Sequence, residues 1–134
     1  MKIHEYNVRV RYSETDQMGV VYHGNYAQYF EMGRVEWLRN IGFSYKFMEE
    51  SGIMLPVVSL SINYKKPARY DDLLRVRTIF KNQTSVKIEF DYEIYNEANE
   101  LLTIANSILV FVDMKTARPT VPPDFVLDQL LKIV

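Results

Sequence analysis

Apolar and polar residues alternate along much of this chain, and one long stretch follows a helical period instead. Tyr6, Val8, Val10 and Tyr12 alternate with Asn7, Arg9 and Arg11, which predicts a first strand with one buried and one wet face. Tyr26, Tyr29, Phe30, Gly33, Trp37 and Ile41 then recur at helical spacing and predict a long α-helix with one apolar face. Gly42 is its expected stop. Gly33 interrupts the apolar face. A mid-helix glycine costs about 0.5–1 kcal/mol against alanine, so its expected use is close approach of the helix to a sheet. Glu31, Val35 and Leu38 are expected to point the other way, and that second face suggests burial against a partner chain.

Residues 44–51 predict a short second helix, ended by Gly52. Pro56 opens a second strand in which Val58, Leu60, Ile62 and Tyr64 alternate with Ser59, Ser61, Asn63 and Lys65, and Pro67 breaks or edges it. Asp71-Asp72 predict a turn. Leu74, Val76, Thr78 and Phe80 mark a third strand, and residues 81–84 are expected to turn the chain into a fourth carrying Val86, Ile88, Phe90, Tyr92 and Ile94. Asn96-Glu97-Ala98-Asn99 is a hairpin signal. Leu102, Ile104, Ile108, Val110 and Val112 form a fifth strand, apolar on much of both faces and so central or at an interface. After Pro119, Pro122 and Pro123, the residues Phe125, Leu127, Leu130 and Leu131 predict a final helical segment. One long helix followed by strands on short turns is an α+β layout, a five-stranded antiparallel sheet whose concave face wraps a central helix.

Composition narrows the chemistry more than the fold. The 134 residues suit a single domain spanning 1–134 with a real core. A net charge of −1 supplies no strong field for nucleic acid or an anionic membrane. The absence of cysteine excludes disulfides, thiolate metal sites and a cysteine nucleophile. The two histidines, His4 and His23, are far apart, so no metal site is expected. No apolar run reaches the length of a membrane span, and residues 1–5 do not read as a signal peptide; the expectation is a cytoplasmic protein without a transmembrane segment.

Two blocks carry a family resemblance. The first is Asp16-x-x-Gly19-Val20-Val21-Tyr22-His23-x-Asn25-Tyr26 at the strand-to-helix junction. The second is Ile62-Asn63-Tyr64-Lys65-Lys66-Pro67-Ala68-Arg69-Tyr70-Asp71-Asp72 at a strand end. Together they resemble hot-dog-fold thioesterases of the 4-hydroxybenzoyl-CoA thioesterase class and their relatives among short acyl-CoA thioesterases, including those linked to the Tol–Pal envelope system. The resemblance implies hydrolysis of an acyl-CoA to a free acid and coenzyme A, without metal or redox cofactor. It also implies a homodimer or homotetramer with the site between subunits.

A thioester needs an attacking oxygen and donors for the oxyanion that forms on its carbonyl. With no cysteine and no Ser-His-Asp order in view, a carboxylate must do the first job, and Asp16 can act as general base or as nucleophile. The helix N-terminus can do the second, because its first amides lack intrahelical partners. Tyr22, His23 and Gly24 are the expected backbone donors, and Asn25 is a capping type. The resemblance implies a catalytic set of Tyr12, Asp16 and His23. Lys65, Lys66 and Arg69 are candidates for the coenzyme A phosphates, with Lys81 and Lys87 as weaker ones. Each residue also has a plainer use. Asp16 can satisfy a turn, His23 can cap a helix, Tyr12 can be a core tyrosine, and the cationic cluster can protect a sheet edge. Glu31 and Glu36, checked because another hot-dog class uses a helix glutamate, are expected to be solvated or dimer-facing. The competing functions are an acyl-[acyl carrier protein] thioesterase, a non-catalytic acyl-CoA binding protein, and a dehydratase of the same fold, disfavoured by the orientation expected for Glu31.

Overall fold

The structure, a computed structural model, describes residues 2–133. Strand β1 (Ile3–Arg9) leads through two short 3-10 turns (Tyr12–Glu14 and His23–Asn25) into helix α1 (Tyr26–Ile41). Helix α2 (Tyr45–Glu50) and strands β2 (Ile53–Met54), β3 (Val57–Tyr64), β4 (Leu73–Thr84), β5 (Lys87–Tyr95) and β6 (Leu101–Val110) follow. The chain closes with β7 (Val112–Asp113), β8 (Arg118–Pro119) and helix α3 (Asp124–Leu131). Five strands pair antiparallel in the order β1-β4-β5-β6-β3, and β2, β7 and β8 form a small second sheet. A five-stranded antiparallel sheet with one long helix against it is the layout the hot-dog resemblance implies.

The helix forms where its period predicts. Tyr26, Tyr29, Phe30, Gly33, Trp37 and Ile41 are all buried, and Gly42 ends the helix in the left-handed region at φ 118°. Gly33 has the predicted use: a Cβ there would lie 2.6 Å from Thr78 Oγ1 and 2.8 Å from Val76 Cγ1 on β4. That approach seats α1 on the β1–β4 half of the sheet. Its aromatic side chains reach further across. Phe30 meets Tyr92 of β5 at 4.9 Å between ring centroids, and Trp37 meets Phe90 at 5.0 Å. Such pairs contribute roughly 0.5–1.5 kcal/mol each beyond the area they bury.

Several expectations are corrected by tertiary packing. Leu38 does not face a partner; it lies within the chain's own buried cluster, which the segment after α1 extends with Phe43, Met48 and Leu55. Tyr12 is no core residue: the strand ends at Arg9, and the 3-10 turn leaves Tyr12 77% exposed with its ring edge-on to Tyr70. Residues 81–84 do not turn the chain. β4 continues to Thr84 past a bulge between Phe80 and Asn82, and the turn comes at Ser85 with φ 52°. The bulge breaks the alternation, so the sequence reads as a turn three residues early. Val112 leaves the fifth long strand for the small sheet. β3 follows its predicted alternation but hardly buries it: Val58 is 58% and Leu60 41% exposed.

Candidate active site

The junction is organised around a carboxylate that sequence reasoning passed over. Glu14, which closes the 3-10 turn after β1, is 4% exposed. One of its oxygens accepts the Arg11 N–H at 2.8 Å and the Tyr29 hydroxyl at 2.9 Å, and the other accepts the Arg11 guanidinium at 3.0 and 3.1 Å. Its backbone carbonyl accepts the Tyr22 N–H at 2.9 Å and the Asn25 side-chain amide at 2.8 Å. One residue thus ties the end of β1 to the first turn of α1. Burial pushes the Glu14 carboxyl up, but the hydrogen bonds from the Arg11 N–H, the Tyr29 hydroxyl and the Arg11 guanidinium outweigh it and hold the group below its ordinary value. Burial, with Glu14 beside it, raises the Tyr29 phenol in turn. Arg11 at i and Glu14 at i+3 were visible in the sequence as a charge pair, but nothing local marks Glu14 as buried.

The two sequence blocks meet here. Val21 N–H bonds the Ala68 carbonyl at 2.8 Å, Val20 bridges Arg69, and the Tyr64 hydroxyl donates to the His23 carbonyl at 3.2 Å. Tyr64 also packs edge-on against Tyr26, 5.2 Å between centroids. Between the start of α1 and the end of β3 lies a groove of about 250 Å³, lined by His23, Tyr26, Tyr64, Lys65, Lys66 and Pro67 together with Val21.

Backbone accounting identifies the free donors. The N–H of Tyr22 is taken by Glu14, that of Asn25 by the Tyr22 carbonyl, and that of Tyr26 by the His23 carbonyl. Among the described residues, the N–H groups of His23 and Gly24 have no protein partner. Tyr22 therefore drops out of the expected donor set. Asn25 does not cap α1 with its side chain, which is spent on Glu14. At Gly24 a Cβ would fall 2.7 Å from the Tyr22 ring, so the residue leaves room for that ring.

Asp16 sits in a turn closed by its own backbone. Its N–H bonds the Val20 carbonyl, its carbonyl accepts from Gly19, and Oδ1 accepts the Met18 N–H at 2.8 Å. Oδ2 has no protein partner among the described residues. The turn use and the chemical use are thus compatible, because they take different oxygens. The His23 side chain is exposed and rests against Tyr22, 4.4 Å between centroids. No hydrogen bond joins the side chains of Asp16, His23 and Tyr12 to one another. Of the cationic candidates, Lys66 is paired with Glu100 at 2.7 Å, a contact that lowers the Glu100 carboxyl. The Lys65 ammonium and the Arg69 guanidinium have no carboxylate within 4 Å among the described residues, although the Arg69 backbone N–H donates to Asp72 Oδ2 at 2.9 Å, and Lys81 is occupied by Glu89 and Asp91 away from the groove. Glu31 is exposed and Glu36 pairs with Arg39, so neither enters the groove. Among the described residues no set of three histidine or acidic side chains is placed to hold a metal ion, and no helix is long and apolar enough to cross a membrane.

Comparison with known proteins matches this architecture over nearly its whole length. The model of the Thioesterase-like superfamily matches residues 10–130. The putative acyl-CoA thioesterase YneP of Bacillus subtilis is 40% identical over 119 residues, 89% of this chain and 86% of that protein. The acyl-CoA thioester hydrolase YbgC of Escherichia coli is 34% identical over 116 residues, 87% of each. The crystal structure of a DHNA-CoA thioesterase from Staphylococcus aureus superimposes with a TM-score of 0.95 at 35% identity, covering 99% of this chain and 91% of that one.

Proposed function

This chain belongs to the Thioesterase-like superfamily and is an acyl-CoA thioester hydrolase, and from that premise we propose that Asp16 drives attack on the thioester while the His23 and Gly24 amides take up the charge that develops on its oxygen. The observation that carries this reading is the pair of unpaired amides at the start of a 16-residue helix. Every neighbouring N–H is already committed, so the two that remain are preorganised for an incoming oxygen, and the helix adds its partial positive charge.

The chemistry then needs few parts. The thioester carbonyl lies at the His23 and Gly24 amides, with the acyl-sulfur bond along the groove beside Tyr64. The free Oδ2 of Asp16 removes a proton from water as the water oxygen bonds the carbonyl carbon. Collapse of the tetrahedral intermediate breaks the carbon–sulfur bond, and the thiolate leaves with the proton. In the alternative route, Oδ2 bonds the carbonyl carbon itself, expels the thiolate and gives a mixed anhydride that water then opens. Lys65 and Arg69, the cations free of ion pairs, are the proposed partners of the coenzyme A phosphates, with Lys66 shared with Glu100. Tyr12, exposed and with its hydroxyl unbonded, is given a place at the rim rather than in proton transfer.

A second copy of the chain is part of the proposal. β3 is a sheet edge without one charged residue, its Val58 and Leu60 side chains are exposed, and its far end forms a wall of the groove. Edges of this kind pair with another strand unless charge or proline prevents it. Pairing of β3 with its equivalent would bring the partner to the site. The decisive test is thiol release from short aliphatic, long-chain, benzoyl and DHNA thioesters of coenzyme A, comparing the native enzyme with Asp16→Asn. A fall of about 10²–10⁴ in kcat with the fold intact is expected for loss of a catalytic carboxylate. Equal turnover would remove Asp16 from the mechanism. No turnover by the native enzyme on any of these esters would move the substrate to thioesters on acyl carrier protein. Single turnover in ¹⁸O-water separates the two routes, because only the anhydride route can leave label in Asp16.

A further inference from the structure

The Gly24 amide, one of the two free donors, is one end of a peptide unit whose other end is the His23 carbonyl, because the peptide bond holds both in one plane. That carbonyl accepts from two elements at once. The Tyr26 N–H reaches it from the start of α1, and the Tyr64 hydroxyl reaches it at 3.2 Å from the end of β3. The Tyr22 carbonyl, behind the His23 N–H, accepts the Asn25 N–H at 2.9 Å and, among the described residues, no side-chain donor. Among those residues Tyr64 is thus the one side chain bonded to the back of either free amide.

The hydroxyl is held from both sides. Tyr64 is the last residue of β3, it pairs with Thr103 of β6, and the Lys65 N–H after it bonds the Leu102 carbonyl at 2.8 Å. Its ring stands edge-on to Tyr26, which is 3% exposed and itself edge-on to Tyr29 at 5.8 Å between centroids. The Tyr29 hydroxyl in turn is fixed by Glu14. Packing of the ring therefore aims the hydroxyl, while the outer face of the ring remains a wall of the groove. All of these contacts lie within one chain, so they do not depend on how copies pair.

We propose that Tyr64 is a positioning residue for the hydrolysis: its hydroxyl holds and polarises the His23–Gly24 peptide so that the Gly24 N–H meets the thioester oxygen in a fixed direction. Hydrogen bonds in series strengthen one another in a low-dielectric site, so a donor on the carbonyl makes the amide at the other end a better donor. The 3.2 Å bond is longer than the roughly 2.7–2.8 Å usual for hydroxyl donors, which leaves it room to shorten as charge gathers on the thioester oxygen. An interaction that strengthens only then raises kcat and leaves KM alone. The inference rests on the reading of the Gly24 amide as an oxyanion donor and on nothing assigned to Asp16. The plainer use of the hydroxyl, tying β3 to the start of the helix, predicts a loss of stability with kcat unchanged.

The test is Tyr64→Phe, which deletes the hydroxyl and keeps the ring against Tyr26, assayed on the acyl-CoA that the native enzyme turns over fastest. A fall in kcat of about three- to tenfold, the net worth of one neutral hydrogen bond, is expected with KM within about twofold of native. Tyr64→Leu also removes the groove wall and should raise KM as well. A second readout needs no turnover. In ¹H–¹⁵N spectra of the substrate-free protein, Tyr64→Phe should move the Gly24 amide proton upfield, and by more than it moves that of His23. A kcat within about twofold of native, a loss carried by KM, or an unmoved Gly24 amide would overturn the proposal. The spectra then separate the causes. A shifted Gly24 amide with native kcat would sink the Gly24 donor itself, whereas an unmoved one sinks only the Tyr64 bond. Retained turnover in Asp16→Asn would instead remove Asp16 and leave Tyr64 in place.

Discussion

The two edges of the sheet are built on opposite rules. β1 carries His4, Glu5, Asn7 and Arg9, and its neighbour β4 answers with Arg75 and Arg77, so that Glu5 pairs with Arg75 at 3.0 Å. β3 carries no charge at all and exposes Val57, Val58, Leu60 and Tyr64. The long helix follows the same division. Gly33 draws it onto β4, over the charged-edge half, and leaves the concave face of β3 open beyond the first turn. A sheet edge that avoids pairing and one that invites it thus coexist in one layer, and the candidate junction spans them. Glu14 anchors it to the β1 side, and Tyr64 meets it from the β3 side.

Reversing the character of an edge should have the largest effect. Leu60→Lys places a charge in the apolar edge and should yield a monomer with thioesterase activity at least a hundredfold lower, read by sedimentation and thiol release. The matching change Asn7→Lys on β1 should alter neither. If Leu60→Lys remains as oligomeric and active as the native enzyme, the edge is not the interface.

Next in size is the seating of the helix. Gly33→Ala forces a Cβ against Thr78 and Val76 and should destabilise by about 1–3 kcal/mol, the usual cost of overpacking, measured by denaturant unfolding. Glu14→Gln is expected to cost a similar or smaller amount at pH 7, roughly 1–3 kcal/mol for losing hydrogen bonds to a charged group. It also carries a pH signature. The Glu14 carboxyl is lower in the folded than in the unfolded chain, so the unfolded state binds more protons and the stabilisation is present above the ordinary value of 4.5. It is lost as pH falls below 4.5 through the folded value. Acid unfolding of Glu14→Gln should be flatter there. The smallest effect expected is for Tyr12→Phe. The hydroxyl has no partner and the ring contact with Tyr70 survives, so kcat/KM within about twofold of native is predicted. A loss of tenfold or more would return Tyr12 to the catalytic set.

The first of the two blocks that make the candidate site was legible in sequence because its residues are contiguous. Asp16 through Tyr26 had to leave a strand and open a helix, and the helix period placed the first amides. The choice between those amides was not legible. Tyr22, His23 and Gly24 are equivalent as sequence, and Tyr22 is eliminated only because the Glu14 carbonyl takes its N–H. Tyr12 shows the opposite failure. Alternation extended it into the core, and a 3-10 turn that no pattern announces took it to the surface.

Periodicity is a local property, and what it settles here is local: the helix from Tyr26 to Ile41, its buried face, the close approach at Gly33, and the inward residues of β4 and β5; on β6 the buried Thr103, Ser107 and Leu109 stand at the opposite parity to Ile104 and Ile108. Pairing order, the burial of Glu14 and Leu38, and the exposure of β3 rest on contacts between residues far apart in the chain. Hydrogen-bond donors and counter-charges are shared out only after those contacts form. That is why the strands and the long helix could be read from spacing, while the two free amides and the Tyr64 hydroxyl behind one of them emerged only in the folded chain.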